Sequence, residues 1–395
     1  HHRAQTRRRK IGKHPMNLSV NLVLADSGWF HTISPYLWRI SGDFGIRWYG
    51  LSYLLAFVIA YFLLRWLSAR GVTPIPKDRI ADAMMLLVAG VIVGGRLGYI
   101  LLYDPALLVD FTSSPPWWGV FRLTNGGMSS HGGFAGVILA CIFISRGFKD
   151  EQGNRVGACP KLHVMDMCTM VAPLGLMLGR IANFINGELL GKVLALPGTP
   201  SPWYGVRYPQ EILERPLNSL PQTPEQLGQI IGLSTQYMLP GEQDWGLGYM
   251  RILDLIRSGN DSLRAQLEPL ISARYPTQLM QAFFDGLLVF VVVWVIAYKP
   301  RRVGVLGGWM LIVYALGRIP MDFVRLPDAG VTQFGPMTRG QAYSLLMLIV
   351  GVIALIVAHR SKYVVMGGWG RRSVSLASES GDAEGRTESK HNDPE

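Results

Sequence analysis

Cysteine and charge are scarce in this chain. It contains three cysteines in 395 residues, and charged residues make up only 16% of it. Cys141, Cys159 and Cys168 show neither CxxC spacing nor a neighbouring pair of histidines, which argues against a disulfide framework and a zinc site. We interpret them as small apolar residues. No nucleotide-binding glycine loop or Gly-x-Ser-x-Gly nucleophile elbow occurs, and we predict neither a metal nor a cofactor.

Apolar residues dominate instead, at 49% of the chain with a mean hydropathy of +0.23. Soluble domains carry about 25% charged residues, so this composition indicates a membrane protein. The net charge of +11 is concentrated at the start, where six of the first fifteen residues are basic and Met16 follows. We interpret residues 1–15 as an upstream extension, which should be kept out of fold reasoning. The rest suits basic cytoplasmic loops, and we predict no nucleic-acid partner.

The apolar residues form seven runs of roughly the 20 residues that a bilayer core requires. We predict an all-α integral membrane protein with seven transmembrane helices and a small periplasmic head. The predicted spans are residues 44–66, 80–103, 126–145, 163–185, 279–298, 304–324 and 340–358.

Basic residues cluster after the first, third, fifth and seventh spans. The positive-inside rule therefore predicts a periplasmic N-terminus and a cytoplasmic C-terminus. Around the two transmembrane blocks, 44–191 and 276–360, lie three further segments. We predict an interfacial segment at 16–43, a periplasmic head insert at 192–275 and a disordered cytoplasmic tail at 361–395.

The segment 179–191 is unusually polar for the end of an apolar run. It contains Arg180, Asn183, Asn186 and Glu188. Ionisable residues at membrane depth are costly, and they usually face a bundle interior or a water-filled cavity. If the helix continued through the segment, Arg180, Asn183, Gly187 and Gly191 would form one stripe. We therefore predict a binding site here.

Three other segments bring polar groups to the same predicted outer level. His131 lies in a glycine-rich stretch at the start of the third span, and Tyr49 opens the first. Tyr314, Arg318 and Asp322 step by four along one face of the sixth span. This convergence of separate segments favours one shared site.

Structural roles are the alternatives for several of these residues. Arg180 at a helix end can snorkel to head groups. Arg318 and Asp322 can form a purely structural i,i+4 ion pair, and His131 can be a satisfied core histidine. For Arg96, Tyr99, Tyr103 and Asp166, hydrogen bonding between helices is at least as plausible as catalysis.

The residue types nevertheless point to a chemistry. Arginine binds phosphate bidentately and keeps its charge in a poor dielectric, so two arginines predict a phospholipid head group or a departing phosphate. Histidine can accept a proton near neutral pH. Because no side chain is set up as a nucleophile, the nucleophile would come from the substrate.

Gly179-Arg180, Asn183-Phe184, Asn186, Glu188 and Gly191 closely resemble the signature of the prolipoprotein diacylglyceryl transferases. The resemblance extends over about residues 44–360, including the glycine-rich segment around His131 and the Tyr314-to-Arg318 spacing. These bacterial inner-membrane enzymes transfer the diacylglyceryl group of phosphatidylglycerol to the lipobox cysteine of a prolipoprotein. The product is a thioether, and glycerol phosphate is released.

The resemblance implies roles for individual residues. Arg180 and Arg318 would hold and neutralise the phosphate, and His131 would accept the thiol proton. The other expected site residues are Tyr49, Asn183, Asn186, Glu188, Gly191, Tyr314 and Asp322. The expected partners are phosphatidylglycerol, prolipoprotein signal peptides with a lipobox cysteine, and the membrane.

Two departures from the family pattern stand near this site. Asp322 replaces a common glutamate, and Met280-Gln281 replaces Tyr-Glu. A transporter or lipid scramblase is the main alternative function, but such folds are often internally duplicated and no repeat is evident. A different phospholipid-dependent transferase would share the head-group site without the thiol acceptor. A structural scaffold does not explain the converging arginines.

Overall fold

The computed structural model describes residues 28–41, 44–122, 127–326 and 337–370. The extension predicted at 1–15 and most of the predicted tail lie outside the described residues. The described residues are mostly helical. The helices that correspond to the predicted spans are α1 (Trp48–Ala69), α2 (Ile80–Leu102), α3 (Ser130–Ile144), α4 (Lys161–Asn186), α9 (Thr277–Gln281) continuing through a π-helical segment (Ala282–Leu287) into α10 (Leu288–Ile296), α11 (Val305–Val324) and α12 (Arg339–Arg360).

Five of the helices in the described ranges are long and apolar enough to cross a membrane. They are α1, α2 with the preceding 3₁₀ turn (Lys77–Arg79), α4, the continuous helix Thr277–Ile296, and α12. Helix α3 is a shorter apolar helix of 15 residues. Helix α11 is less apolar because it carries Arg318 and Asp322. The chain is therefore a multi-pass helical membrane protein.

The bundle has a different character at each end. Its main apolar core lies where α1, α3 and α10 end and where α2 and α4 begin, and it includes Leu67, Ile80, Ile144, Val164 and Val293. Polar side chains of the predicted site lie at the opposite end. This arrangement follows from helices that alternate in direction along the chain, so that each polar segment returns to one level.

Helices α2 and α3 pack with their backbones in contact. A Cβ added to Gly136 would lie 1.9 Å from the carbonyl oxygen of Gly90, and one added to Gly132 would lie 2.2 Å from that of Gly94. Small residues allow this close approach between membrane helices. The start of α3 is therefore fixed against α2, which sets the position of His131.

The segment 192–275, called the head below, contributes most of a second apolar core. Its helices are α5 (Glu211–Glu214), α6 (Pro224–Thr235), α7 (Trp245–Arg257) and α8 (Asp261–Leu267). Phe30 enters this core beside Ile230, Tyr249, Ile252 and Leu267. A small sheet in the order β1-β7-β8-β6 joins β1 (Trp29–Phe30) to β7 (Val206–Arg207), β8 (Ala273–Arg274) and β6 (Val193–Ala195). The head thus includes a strand from before the first helix.

Short strands were not part of the all-α prediction, which is too coarse outside the bundle. Strand β2 (Tyr36–Ser41) pairs antiparallel with β3 (Phe44–Arg47), and α1 begins only at Trp48. The predicted start of the first span at residue 44 is therefore four residues early. A second hairpin joins β4 (Phe148–Lys149) to β5 (Arg155–Val156) in the loop between α3 and α4.

The first ten residues of the predicted disordered tail are ordered, which corrects its boundary. Strand β10 (Val365–Met366) pairs antiparallel with β9 (Arg301–Arg302). Trp369 then packs on Trp66, Trp294 and Tyr298, and its indole nitrogen donates to the carbonyl of Trp294. An aromatic side chain with apolar partners stabilises a segment that composition alone describes as polar.

Candidate active site

The polar signature begins on α4 and continues beyond its end. Helix α4 stops at Asn186, because Gly187 adopts the left-handed conformation with φ of 72°. The Gly187 amide donates to the Phe184 carbonyl at 3.0 Å and the Glu188 amide to the Asn183 carbonyl at 3.1 Å. This is the Schellman pattern of helix termination. The predicted helical stripe through Gly187 and Gly191 is therefore wrong.

The turn folds Glu188 back onto the helix that it terminates. The side-chain amide of Asn183 donates to the Glu188 carboxylate at 2.6 Å, and that of Asn186 approaches the same oxygen at 3.5 Å. Gln278 at the start of the next transmembrane helix is fully buried and donates to the Glu188 carbonyl at 2.7 Å. The structure thus brings Asn183, Asn186 and Glu188 together as the sequence predicted.

Gly191 lies in a crossing of three backbone segments. It forms a β-bridge with Arg325 after α11, and a Cβ on it would lie 2.3 Å from the carbonyl oxygen of Tyr275. Its own carbonyl accepts a hydrogen bond from Arg274 at 3.0 Å. Only glycine fits this crossing, so the structure gives Gly191 a packing role close to the site.

Arg318 is held between two carboxylates. It lies 3.5 Å from Asp285 on the π-helical segment and 3.7 Å from Asp322 one turn further along α11. All three residues are buried. The Thr338 hydroxyl at the start of α12 donates to Asp322 at 2.9 Å. The i,i+4 pair considered from the sequence is present, but it belongs to a larger network that connects three helices.

Arg180 is held differently. Its guanidinium interacts electrostatically with Asp285, Tyr314 and Tyr53. Yet no carboxylate among the described residues lies within 4.0 Å of it. The hydroxyl of Tyr53 donates to that of Tyr49 at 3.2 Å, one turn apart on α1. Arg180 therefore carries a positive charge that no close anion in the described chain neutralises.

His131 occupies the first turn of α3. Ser129 caps this helix by accepting a hydrogen bond from the Gly132 amide at 3.3 Å. The imidazole is exposed and stands edge-on to Tyr343 of α12, with ring centroids 6.4 Å apart. No hydrogen bond or ion pair among the described residues joins His131 to Arg180 or Arg318. His131 lies near the same level as the arginines, because α12 contacts both groups. Tyr343 of α12 contacts His131, and the first residues of α12 contact Asp322.

The structural alternative of hydrogen bonding between helices holds for Asp166, whereas Arg96 binds a loop. Asp166 on α4 accepts hydrogen bonds from the amides of Gly304 at 2.7 Å and Gly307 at 2.9 Å, where α11 begins. A carboxylate at a helix N-terminus satisfies amides that lack partners within the helix. Arg96 donates to the backbone of the loop between α2 and α3. Both side chains hold elements together.

Sequence reasoning left Asp285 and Gln278 out of the site, and it noted Gln281 only as a departure from the family pattern. Asp285 is an acid within an apolar span, so the rule that singled out Arg180 would have found it. Gln281 is fully buried, and neither amide atom has a partner in the described protein. Its place between Gln278 and Asp285 on one helical face points it toward the same region. The π-helical segment that sets this register leaves no evident mark in the sequence.

His31 connects the head to the end of α4. Its Nε2 lies 2.8 Å from the Phe184 carbonyl, and Gln210 donates to its Nδ1 at 2.8 Å. Because Gln210 occupies Nδ1 as a donor, the ring is neutral with its proton on Nε2. Burial lowers the pKa of His31 from 6.5 to about 4. The neutral imidazole of His31 thus joins the head to the C-terminal end of α4.

The fold and the site define a class of protein. It is a multi-pass helical membrane protein with a polar centre at one end of the bundle. This centre combines an available arginine, a second arginine held by two carboxylates, amide side chains and a nearby histidine. Among the described residues, no group of three or more His, Cys, Asp or Glu side chains is arranged to hold a metal ion. Such a centre can bind an organic anion at a membrane surface.

Comparison with known proteins identifies the family. Residues 35–357 match the prolipoprotein diacylglyceryl transferase family, so the chain belongs to it. It is 36% identical to the phosphatidylglycerol–prolipoprotein diacylglyceryl transferase of Bdellovibrio bacteriovorus over 88% of this chain and 99% of that protein. Transferases with the same name from Stenotrophomonas maltophilia and Proteus mirabilis are 34% and 32% identical. Each match covers 84% of this chain and 94% of the relative.

Proposed function

We propose that this protein transfers the diacylglyceryl group of phosphatidylglycerol to the lipobox cysteine of prolipoproteins in the bacterial cytoplasmic membrane. Its membership of the family and the names of its relatives support this activity. The observation that carries the proposal is the contrast between two neighbouring arginines. Arg318 is fixed by two carboxylates, whereas Arg180 has no carboxylate at ion-pair distance among the described residues.

The proposed topology has seven membrane crossings, with the head and N-terminus in the periplasm and the C-terminus in the cytoplasm. Basic clusters beside the ends of α1, α3, α10 and α12 support it. In this orientation the site opens at the outer leaflet. Phospholipid can then enter laterally, and a signal peptide can approach between helices.

The charges suggest how the donor is held. Arg180 binds the phosphodiester as the available guanidinium, and Arg318 presents its remaining donors from a fixed position. Tyr314 and Tyr49 line the head-group region. The hydrogen-bonded Asn183, Asn186 and Glu188 shape its wall, and Asp322 fixes Arg318. Preorganised donors of this kind are most effective where charge develops during the reaction.

The proposed reaction is a displacement at the glyceryl carbon. The cysteine thiol loses its proton to His131, and its sulfur forms the new carbon–sulfur bond. The bond from that carbon to the phosphate oxygen breaks, and the electron pair leaves on glycerol phosphate. Arg180 and Arg318 stabilise the growing negative charge on this leaving group. The reaction needs no redox step and no group beyond the two substrates.

The test compares Arg180→Ala, Arg318→Ala and Arg39→Ala in purified protein with phosphatidylglycerol and a lipobox peptide. Arg39 is a matched control, since it forms a half-exposed ion pair with Asp254 away from the site. Mass spectrometry measures diacylglyceryl on the peptide cysteine. We expect losses of at least about 100-fold for the two site variants, since each removes a donor to the developing charge. Full activity in Arg180→Ala would refute the proposed role of the site.

A further inference from the structure

Arg96, near the end of α2, binds a single stretch of backbone. It is 6% exposed, and it donates to the carbonyls of Gly119 at 2.6 Å, Val120 at 2.7 Å, Arg122 at 3.2 Å and Gly127 at 3.0 Å. These carbonyls all come from the later part of the segment between α2 and α3. One buried guanidinium thus gathers the loop that precedes His131.

The contact with Gly127 is tightly fitted. Gly127 has φ of 90°, which other residues rarely adopt, and a Cβ there would lie 2.6 Å from a guanidinium nitrogen of Arg96. Two residues later, the Ser129 amide donates to the Gly95 carbonyl at 2.8 Å, and its side chain caps α3. The chain from Gly127 to Ser129 is therefore attached to α2 at consecutive points.

His131 follows immediately. The next residue, Gly132, packs against Gly94 and Gly98 of α2, and a Cβ on it would lie 2.7 Å from the Gly98 Cα. The His131 ring contacts Tyr343 on the other neighbouring helix, α12. The imidazole is consequently located by its backbone, because no side chain among the described residues holds it through a hydrogen bond.

We propose that Arg96 is a positioning residue that fixes His131 for proton transfer by binding the backbone on its N-terminal side. The inference rests on the proposed function, in which His131 accepts the thiol proton. A guanidinium suits this role because its planar fork of five donors reaches several carbonyls at once. Lysine keeps the charge but directs its donors from one nitrogen, so it can reach fewer of these carbonyls. Arg96→Lys should therefore retain only part of the activity that depends on the placement of His131.

The expected effect is on turnover. Without Arg96 the loop carbonyls lose their donor, and the segment before α3 is free to shift. Misplacement of a catalytic group by about 1 Å can cost about 100-fold in rate. We expect Arg96→Met to lower kcat by about 10- to 100-fold, with the KM for phosphatidylglycerol changed less than about twofold. The KM is preserved because the arginines that hold the donor lie on α4 and α11.

The experiment is a double-variant cycle with His131→Gln. We measure kcat, KM and the dependence of rate on pH for the wild type, Arg96→Met, His131→Gln and the combined variant. If Arg96 acts through His131, the combined variant is no slower than His131→Gln alone, within about twofold. The pH dependence of the rate also changes in Arg96→Met, because the group that accepts the thiol proton is displaced. Equal multiplicative losses in both backgrounds would overturn the inference.

Two further variants separate positioning from loss of fold. Arg302→Met is the matched control, since Arg302 also donates to a group of helix-end carbonyls, those of Ala358, His359 and Ser361, but at the other end of the bundle. It should lower thermal stability and leave the pH profile unchanged. Gly127→Ala disturbs the Arg96 contact from the backbone side and should lower kcat as Arg96→Met does. It therefore keeps the test available if Arg96→Met cannot be purified. Wild-type kinetics in Gly127→Ala would contradict the inference, whereas full activity in His131→Gln would refute the role of His131 itself.

Discussion

The network of Asp285, Arg318 and Asp322 allows a prediction that separates stability from chemistry. At 3.5 Å, opposite unit charges attract by about 4 to 5 kcal/mol if the effective dielectric constant is about 20. Burial offsets much of this attraction, because both groups lose hydration. Removing Arg318 leaves the charges of Asp285 and Asp322 buried without it, at a cost of about 3 to 5 kcal/mol, whereas removing Asp285 leaves Arg318 paired with Asp322. We therefore expect Arg318→Met to be destabilised by that amount and Asp285→Asn to be destabilised by less.

The double variant Asp285→Asn/Arg318→Met should behave differently. It removes the Asp285 charge that Arg318→Met leaves unpaired, so part of the stability lost in Arg318→Met should return, while Asp322 keeps its hydrogen bond from Thr338. Activity should not return, since the proposed mechanism requires Arg318 at the phosphate. Unfolding of the detergent-solubilised variants measures stability, and the peptide transfer assay measures activity.

A surface ion pair provides the control. Arg39 and Asp254 are 2.8 Å apart, with side chains 40% and 44% exposed, and Asp254→Asn should change stability by less than about 1 kcal/mol. If the double variant is no more stable than Arg318→Met, the pairing of Asp285 with Arg318 does not govern stability. If it is active, Arg318 does not serve the chemistry.

Two further predictions concern other buried groups. Because folding lowers the pKa of His31 from 6.5 to about 4, the unfolded chain binds a proton in this window that the folded chain does not. Stability should therefore fall by about 3 kcal/mol as the pH is lowered from 6.5 to 4. His31→Gln should flatten this part of a plot of melting temperature against pH. An unchanged slope would contradict the lowered pKa of His31. Gln281→Leu should raise stability by about 1 to 3 kcal/mol, since it removes two buried polar atoms without partners in the described protein. A lower melting temperature for Gln281→Leu would show that the amide is satisfied in the membrane.

The helices could be predicted because a bilayer imposes a simple rule on sequence. Apolar runs of about 20 residues mark the spans. The last residues of α2 and α4 fall within one residue of their predicted positions. The convergence of Arg180, Arg318 and Asp322 followed from placing rare polar residues on alternating helices. His131 was predicted at the same level, but its contact with Tyr343 and the loop contacts of Arg96 depend on tertiary packing.

The missed features depend on contacts that periodicity does not encode. The backbone crossing of Gly191 with Arg325 and Tyr275 joins segments far apart in sequence. Gly187 ends α4 because it adopts the left-handed conformation, whereas the sequence pattern placed it on a continuing helix. Phe30 completes the core of a head that begins more than 160 residues later. Such long-range partners cannot be deduced from local patterns.

The most direct test of the proposed function measures both products of one reaction. Wild-type protein with phosphatidylglycerol and a lipobox peptide should yield diacylglyceryl-modified peptide and glycerol phosphate in equal amounts, and a peptide with serine in place of cysteine should yield neither. Release of glycerol phosphate without modified peptide would contradict the proposed acceptor. Absence of both products from well-folded protein would contradict the proposed transfer reaction.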